Sequence, residues 1–353
     1  MTVDRQAQES QSPGSRDPLW IVVLAGGRGC RLEAFLRNAL GETRPKQFCR
    51  ITGSRSMLRH TWDRARRLVP GRRVVTVITA GQERFVAAEA DPPGIPGRVL
   101  VQPADRETGP GVLLPLLWIS HQQPDATIVV FPADHFVWEE SRFMGHVAQA
   151  VIISRRWPDR IVLLGMEADS AETSYGWIER GAACDGALPD GELFTVANFW
   201  EKPDGVLARQ LHTQGCLWNS FVMAGTVHGF LQLVRRHQPE ALEILQTATR
   251  QFGTSGERAA IAAAYRRLSA FDFSRDILTR GREALLVQPA RRLTWSDWGE
   301  PARIQQSLER IGCRPKWLTT RARVGGASLG PPREQHAPSD NRRIAGPRAG
   351  AVV

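Results

Sequence analysis

Leu19-Trp-Ile-Val-Val-Leu-Ala-Gly-Gly-Arg-Gly-Cys-Arg-Leu32 decides the fold class of this 353-residue chain. An apolar run rich in branched side chains, ending in a Gly-rich turn, reads as a buried parallel strand. The turn carries Arg28 and Arg31 into what reads as the first turn of a helix. Glycines let the backbone pass close to a ligand and a helix N-terminus favours anions, so the combination points to phosphate. It is not a P-loop, which ends in Gly-Lys-Ser/Thr. Nor is it the dinucleotide fingerprint, because Leu32 sits where the third glycine would fall.

Downstream, Arg44-Pro-Lys-Gln-Phe48 strengthens that reading through composition. Of the 46 Lys and Arg residues only three are lysines, Lys46, Lys202 and Lys316. Two of them sit inside motif-like stretches, Arg-Pro-Lys-Gln-Phe and Trp-Glu-Lys-Pro-Asp. A compact ammonium differs from a planar guanidinium at a crowded phosphate, so a chain that otherwise writes arginine has a reason to keep lysine there.

Strand–helix alternation extends from the opening stretch. Helical spacing marks residues 54–69, 82–90, 111–120 and 143–155, and strands are expected at 73–79, 98–101, 127–131 and 160–164. This predicts an α/β, doubly wound, mostly parallel sheet, whose ligands sit at the carboxyl ends of the strands. Gly26, Gly27 and Asp134 all fall at such ends. In the second half, strands are expected at 175–180, 193–200 and 284–288. Helices are expected at 204–213, 226–236, 240–252, 257–268 and 301–311.

The bulk numbers bound the rest. The length fits one large α/β domain, placed at 19–313. No apolar stretch approaches the roughly 20 residues of a membrane helix. Residues 1–18 are polar and lack a signal core, so a disordered N-terminus and a cytoplasmic protein are expected, with no membrane partner. Cys30, Cys49, Cys184, Cys216 and Cys313 are odd in number and hold no Cys-x-x-Cys pair, against a disulfide framework or a structural zinc site. Of the net charge of +10, the stretch from Arg314 onward carries eight basic and two acidic residues. Residues 1–18 carry two basic and three acidic, which leaves +5 on the body. The basicity therefore concentrates in a Gly/Pro/Ser/Arg-rich tail, 318–353, expected to be disordered and solvated rather than bound to nucleic acid.

Asp134 follows a buried strand, where a carboxylate needs a partner. Asp297, in Trp295-Ser-Asp-Trp-Gly299, is a second candidate far away in sequence. Mg²⁺ on a nucleotide is held by one or two carboxylates plus phosphate oxygens, a need that two aspartates from distant loops would meet. A helix cap at Asp134 and an ordinary turn at Asp297 are the bland alternatives. His135 reads as a packed or capping histidine.

Together these stretches resemble the sugar-1-phosphate nucleotidyltransferases, most closely the bacterial mannose-1-phosphate guanylyltransferases. The matching pieces are Leu24-Ala-Gly-Gly-Arg-Gly-Cys-Arg-Leu32, Pro45-Lys-Gln-Phe48, Gln102-Pro-Ala-Asp-Arg-Glu-Thr108 and Pro132-Ala-Asp-His135 in the first half. In the second they are Glu172-Thr-Ser-Tyr-Gly176, Phe199-Trp-Glu-Lys-Pro203, Leu217-Trp-Asn-Ser220, Phe271-Asp-Phe-Ser274 and Trp295-Ser-Asp-Trp-Gly299. All nine occur in the family's order.

The resemblance implies a Rossmann-like nucleotidyltransferase fold with a sugar-binding second half, and a GMP transfer from GTP to mannose 1-phosphate, giving GDP-mannose and pyrophosphate. Leu24, Ala25, Gly26, Gly27, Arg31, Lys46, Arg106 and Asp134 would meet the nucleotide. Tyr175, Gly176, Glu201, Lys202 and Asn219 would hold the sugar phosphate. Arg31, Lys46 and Lys202 would be catalytic, and Asp134 and Asp297 would hold Mg²⁺. A homodimer is the assembly it brings into view. Another NTP or sugar 1-phosphate, or a non-catalytic nucleotide-sugar-binding relative, are the alternatives.

The chain departs from the family's pattern in places. Cys30 replaces the usual Thr, Glu33-Ala-Phe-Leu36 a Trp-Pro-Leu stretch, Gln102 a Glu, and Glu107 an Asn. The last change sets a carboxylate near the nucleotide and opens the choice of base. The family's C-terminal β-helix or cupin-like additions are absent from the sequence, so no isomerase activity is expected.

Overall fold

A computed structural model describes residues 18–318 except 42, 91, 185–191 and 316. Of the stretches expected to be disordered, 1–18 and 318–353, all but residues 18 and 318 lie outside the described residues, as does Lys316. Among the described residues the strands are β1 Leu19–Leu24, β2 Val74–Thr79, β3 Arg98–Gln102, β4 Thr127–Pro132, β5 Phe136–Val137, β6 Ile161–Glu167, β7 Gly176–Ala183, β8 Phe194–Glu201, β9 Leu217–Thr226, β10 Leu285–Ala290 and β11 Trp295–Ser296. Nine of them form one sheet in the order β3-β2-β1-β4-β9-β6-β10-β8-β7, and β5 pairs with β11 in a separate two-stranded ribbon.

The opening strand behaves as its sequence demands. Successive side chains of a strand face opposite sides. Trp20 and Val22 join one apolar cluster with the helices Thr108–Gln122, Val227–His237, Pro239–Thr249 and Glu257–Arg267. Ile21 and Val23 join the cluster on the other face, with Met57–Arg66, Glu140–Arg156 and Gly205–Thr213. A sheet covered on both faces explains why β1, β2 and β4 read as continuous apolar runs.

Three of these helices start where a short polar side chain satisfies an orphan N–H. Ser56 accepts from Arg59 N at 3.1 Å, Asp204 from Leu207 N at 2.8 Å and Thr226 from Gly229 N at 2.9 Å.

The expectation of a mostly parallel sheet holds only for the first half. The β1–β2, β1–β4 and β2–β3 pairings are parallel, as is β6–β10. The pairs β4–β9, β6–β9, β8–β10, β7–β8 and β7–β9 are antiparallel, so the sheet is mixed. The physical cause is β9, absent from the sequence reading, which threads between β4 and β6 and reverses direction there. The chain crosses from β1 to β2 and β3 on one side, then to β4 on the other, which makes the β1/β4 carboxyl ends the switch-point crevice.

A third apolar cluster lies beside that crevice. Leu32 and Leu36 pack there with Phe136, Trp298, Ile304 and Leu308. It joins the helix Glu33–Leu40, which follows the Gly-rich turn, to the last described helix, Pro301–Arg310. No helix among the described residues is long and apolar enough to cross a membrane.

Candidate functional site: a cleft at the switch point

A cleft of about 610 Å³ opens at the carboxyl ends of β1 and β4, and each of the nine motif stretches contributes at least one residue to its lining. Its first wall is built from backbone. Gln47 Nε2 donates to the carbonyls of Ala25 and Gly27, both at 2.7 Å. Thr79 Oγ1 donates to the Gly26 carbonyl at 3.0 Å, and Gln82 Nε2 to that of Gly27 at 3.1 Å. A trans peptide sets its N–H opposite its C=O, so with these carbonyls held inward the N–H groups of Gly26, Gly27 and Arg28 face the other way. Successive N–H groups arranged so make a concavity for anions. Gly26 is closely approached: a Cβ there would lie 2.9 Å from Gln102 Nε2 and 3.1 Å from Thr79 Oγ1, and both side chains would have to shift.

Lys46 is 4 % exposed. Its ammonium meets Asp134 Oδ2 at 2.8 Å, the Trp298 carbonyl at 3.3 Å and the Asp297 carbonyl at a shorter distance. An ammonium has three N–H groups, and three protein acceptors surround this one.

The two aspartates are brought together by backbone pairing. Ala133 N donates to the Leu24 carbonyl at 2.9 Å, which fixes the Asp134 loop to the end of β1. In the ribbon, Ser296 pairs with Phe136 and Trp295 with Val137, so Asp297 follows one strand and Asp134 precedes the other. Phe136 stacks on Trp298 at 4.4 Å and 8°.

Burial alone would raise the Asp134 carboxyl, but the Lys46 ammonium and His135 outweigh it and hold it below the ordinary value. Burial acts the same way on Asp297, and Lys46 and Arg303 reverse it. Two ionised, oxygen-donor carboxylates facing one cleft fit a hard divalent cation. Among the described residues no group of three or more His, Cys, Asp and Glu could hold an ion, so the remaining ligands would be phosphate oxygens and water. His135 is pushed down to about 4, burial first and Lys46 and Arg64 after it, against the pull of Asp134. It stacks edge-on against Trp295 at 5.2 Å, in keeping with a packed histidine.

The second wall is built from side chains. Gly176 pairs across the sheet with Glu201, and a Cβ on it would lie 2.8 Å from Glu201 Oε2 and 3.2 Å from the Asn219 side chain. Only glycine leaves that space. Glu201 pairs with Lys202 at 3.0 Å, and burial raises its carboxyl above the ordinary value although Lys202 pulls the other way. Lys202 and Phe221 carry φ of 51° and 57°. Non-glycine residues in that region store strain, and such residues cluster at functional sites.

Of the residues singled out from sequence, Leu24, Gly26, Gly27, Arg31, Lys46, Asp134, Tyr175, Gly176, Glu201, Lys202, Asn219 and Asp297 all line the cleft. Ala25 and Arg106 do not. Ala25 is 1 % exposed and contributes only the carbonyl that Gln47 holds. At Glu107 the backbone takes φ 66° and ψ −169°, a region that is nearly glycine's alone. Across that turn Asp105, Glu107 and Thr108 line the cleft while Arg106 does not, and its Nε is buried without a partner.

Several lining residues were not singled out. Gln47, Thr79 and Gln102 stand behind or beside the Gly-rich turn, and Asp272, Ser274 and Arg275 close the far side. Thr108 Oγ1 donates to Asp272 Oδ2 at 2.9 Å, and Arg275 pairs with Glu107 at 3.0 Å. A π-turn, Ser274–Leu278, presents Ser274 and Arg275, a distortion frequent at functional sites. Gln47, Gln102, Asp272 and Ser274 sit inside the quoted motifs, which was the available signal; Thr79 and Arg275 sit in none.

Against known proteins, the family model described as nucleotidyl transferase matches residues 21–311. The chain is 31% identical over 231 residues to the xanthan biosynthesis protein XanB of Xanthomonas campestris, covering 64% of this chain and 46% of the relative. It is 31% identical over 237 residues to mannose-1-phosphate guanylyltransferase 2 of Escherichia coli O157:H7, covering 65% and 47%. The chain thus spans about half the length of the curated relatives it matches. Among solved structures, one from Thermus thermophilus, described as mannose-1-phosphate geranyltransferase, superposes with a TM-score of 0.69 at 27% identity, covering 84% of this chain and 80% of that one.

Proposed function

The chain belongs to the nucleotidyl transferase family, and from that premise we propose that it joins a nucleoside monophosphate, GMP from GTP, to a hexose 1-phosphate, mannose 1-phosphate, and releases pyrophosphate. The observation that carries this is the meeting of all nine motif stretches in one cleft, with the Gly-rich turn on one wall and Tyr175, Gly176, Glu201, Lys202 and Asn219 on the other.

In this reading an oxygen of the sugar phosphate attacks the α-phosphorus of the nucleotide. The new P–O bond forms as the bond to the leaving pyrophosphate breaks. The attacking oxygen is already ionised at neutral pH, so no general base is needed, and positioning and charge neutralisation do the rest. The N–H groups of the Gly-rich turn and Arg31 receive the nucleotide's phosphates. Lys46 adds its charge from the cleft floor, where it also holds Asp134 and the Asp297 backbone. Asp134 and Asp297 would hold Mg²⁺, which when bound neutralises phosphate oxygens. Tyr175, Gly176, Glu201 and Asn219 receive the sugar, and Lys202 its phosphate.

Glu107 opens a second reading in which the base differs. Its carboxylate lies in the cleft, held by Arg275, and where the family has Asn it accepts hydrogen bonds but has no N–H to donate to a base carbonyl. Four NTPs against several sugar 1-phosphates, scored by pyrophosphate release with Mg²⁺, test both. Release is expected with GTP and mannose 1-phosphate. Release with UTP or dTTP alone overturns the guanylyl assignment, and none with any pair overturns catalysis.

A further inference from the structure

We propose that Arg303, on the helix Pro301–Arg310, is a positioning residue that fixes the Asp297 carboxylate and keeps one of its oxygens open to a divalent cation; this rests on the metal-holding reading of Asp297 given above. Arg303 does not line the cleft. It lines a second cavity of about 350 Å³ that shares Tyr175 and Trp295 with the first. Its side chain is 11 % exposed, and it reaches Asp297 from behind the wall.

The guanidinium works as a fork. Nη1 donates to Asp297 Oδ1 at 2.7 Å, while Nη2 meets Glu172 Oε2 at 2.6 Å and also donates to Ser174 Oγ. Its Cζ lies over the Tyr175 ring, 4.3 Å from the centroid. The Tyr175 hydroxyl donates to the same Asp297 Oδ1 at 2.9 Å, and Gly299 N does so at 2.8 Å. Three donors from three segments thus converge on Oδ1, and none of these bonds goes to Oδ2. Gly299 keeps the space there, since a Cβ on it would lie 2.6 Å from Oδ2.

A carboxylate saturated on one oxygen cannot rotate without breaking those bonds, so its other oxygen is presented in one direction. Loss of a partner that holds a metal-facing ligand in this way typically costs about 10- to 100-fold in metal affinity. The role calls for arginine in particular. A lysine carries its donors on one nitrogen and cannot hold Asp297 and Glu172 from two separate nitrogens as this fork does.

The test titrates Mn²⁺ alone into the full chain and follows free Mn²⁺ by electron paramagnetic resonance. It uses the unsubstituted protein, Asp297→Asn, Arg303→Gln and Arg303→Lys, each checked by thermal unfolding without metal. Arg303→Gln is expected to weaken Mn²⁺ binding by about tenfold or more, with Arg303→Lys between it and the unsubstituted protein. In turnover, the Mn²⁺ needed for half-maximal rate rises while kcat at saturating Mn²⁺ largely recovers. If Asp297→Asn weakens Mn²⁺ binding and neither Arg303 variant does, the positioning role is wrong and the Asp297 reading stands. If Asp297→Asn has no effect either, that reading falls and takes this one with it. Should Arg303→Gln not fold, Arg303→Lys decides, and unchanged affinity in it overturns the proposal.

Discussion

Lys46 on the parallel wall and Lys202 on the antiparallel wall face one cleft under opposite conditions. The Lys46 side chain is 6 % exposed and its ammonium is surrounded by protein acceptors, whereas that of Lys202 is 56 % exposed and pairs with Glu201. The surrounding walls differ in the same sense. Around Lys46 the polar groups satisfy one another, Gln47, Thr79 and Gln82 holding the carbonyls of the Gly-rich turn. Around Lys202 the side chains of Glu201, Asn219 and Tyr175 reach into the cleft from strands or strand ends. The two lysines therefore stand in different surroundings, although the sequence presents them alike.

The junction between the walls carries the largest expected effect. Asp134→Asn and Asp297→Asn should each cost about 3 kcal/mol of transition-state stabilisation, on the scale of other lost electrostatic groups. The double change should cost less than the sum, because both act on one cation. Steady-state rates at several Mg²⁺ concentrations check this, and additive losses would mean that the two do not share it.

The lysines themselves come next. Lys46→Met strips the partner from a carboxylate and should lower folding stability by about 3 kcal/mol, the low end for a broken buried pair, since the Asp134 side chain stays 38 % exposed. Lys202→Ala should change stability by no more than about 0.5 kcal/mol yet raise KM for the sugar 1-phosphate by about tenfold, near 1.4 kcal/mol. Urea unfolding beside substrate titrations separates them. Equal stability losses would erase the contrast between the walls.

Gly176→Ala sharpens the contrast on the open side. The added Cβ must displace Glu201 or Asn219, an overpacking cost of about 1–3 kcal/mol. Its effect should fall on KM for the sugar 1-phosphate with KM for the NTP little changed. The reverse pattern would put the sugar on the other wall.

The smallest effect is in pH. Glu201 is raised and Asp134 and Asp297 are lowered. A raised carboxyl takes up its proton first as pH falls, so KM for the sugar 1-phosphate should begin to change at a higher pH than the metal requirement does. The stability linkage has the matching sign. The Glu201 contribution is fully present below its ordinary value of 4.5 and is lost as pH rises through the raised one. Those of the two aspartates are present above 3.8 and lost as pH falls through the lowered values. Glu201→Gln should flatten the sugar-phosphate profile on the acid side of neutrality and leave the metal profile unmoved.

What the sequence disclosed follows the same division. β1, β2 and β4 are apolar on both faces and end in the groups that line the cleft, so local pattern finds strand and site together. β9 escaped because Asn219 and Ser220 interrupt its apolar run and the helix Val227–His237 follows without a loop. Its partners β4 and β6 lie far away in sequence, and that pairing, which no local period encodes, makes the sheet mixed. Glycine and lysine stood out by type. Arg303 could not, being one arginine among many whose meaning lies wholly in Asp297, Glu172 and Tyr175 around it.

The ribbon between β5 and β11 has a consequence for how the protein is born. It brings the loops of the two aspartates together, but its strands are Phe136–Val137 and Trp295–Ser296, and the helix that follows the second is Pro301–Arg310. Chains emerge from the ribosome N-terminus first, and a domain generally folds as a unit. A nascent chain therefore carries the Gly-rich turn and Asp134 long before Asp297 is made, and the junction of their two loops closes only after residues near the end of the described fold have left the tunnel.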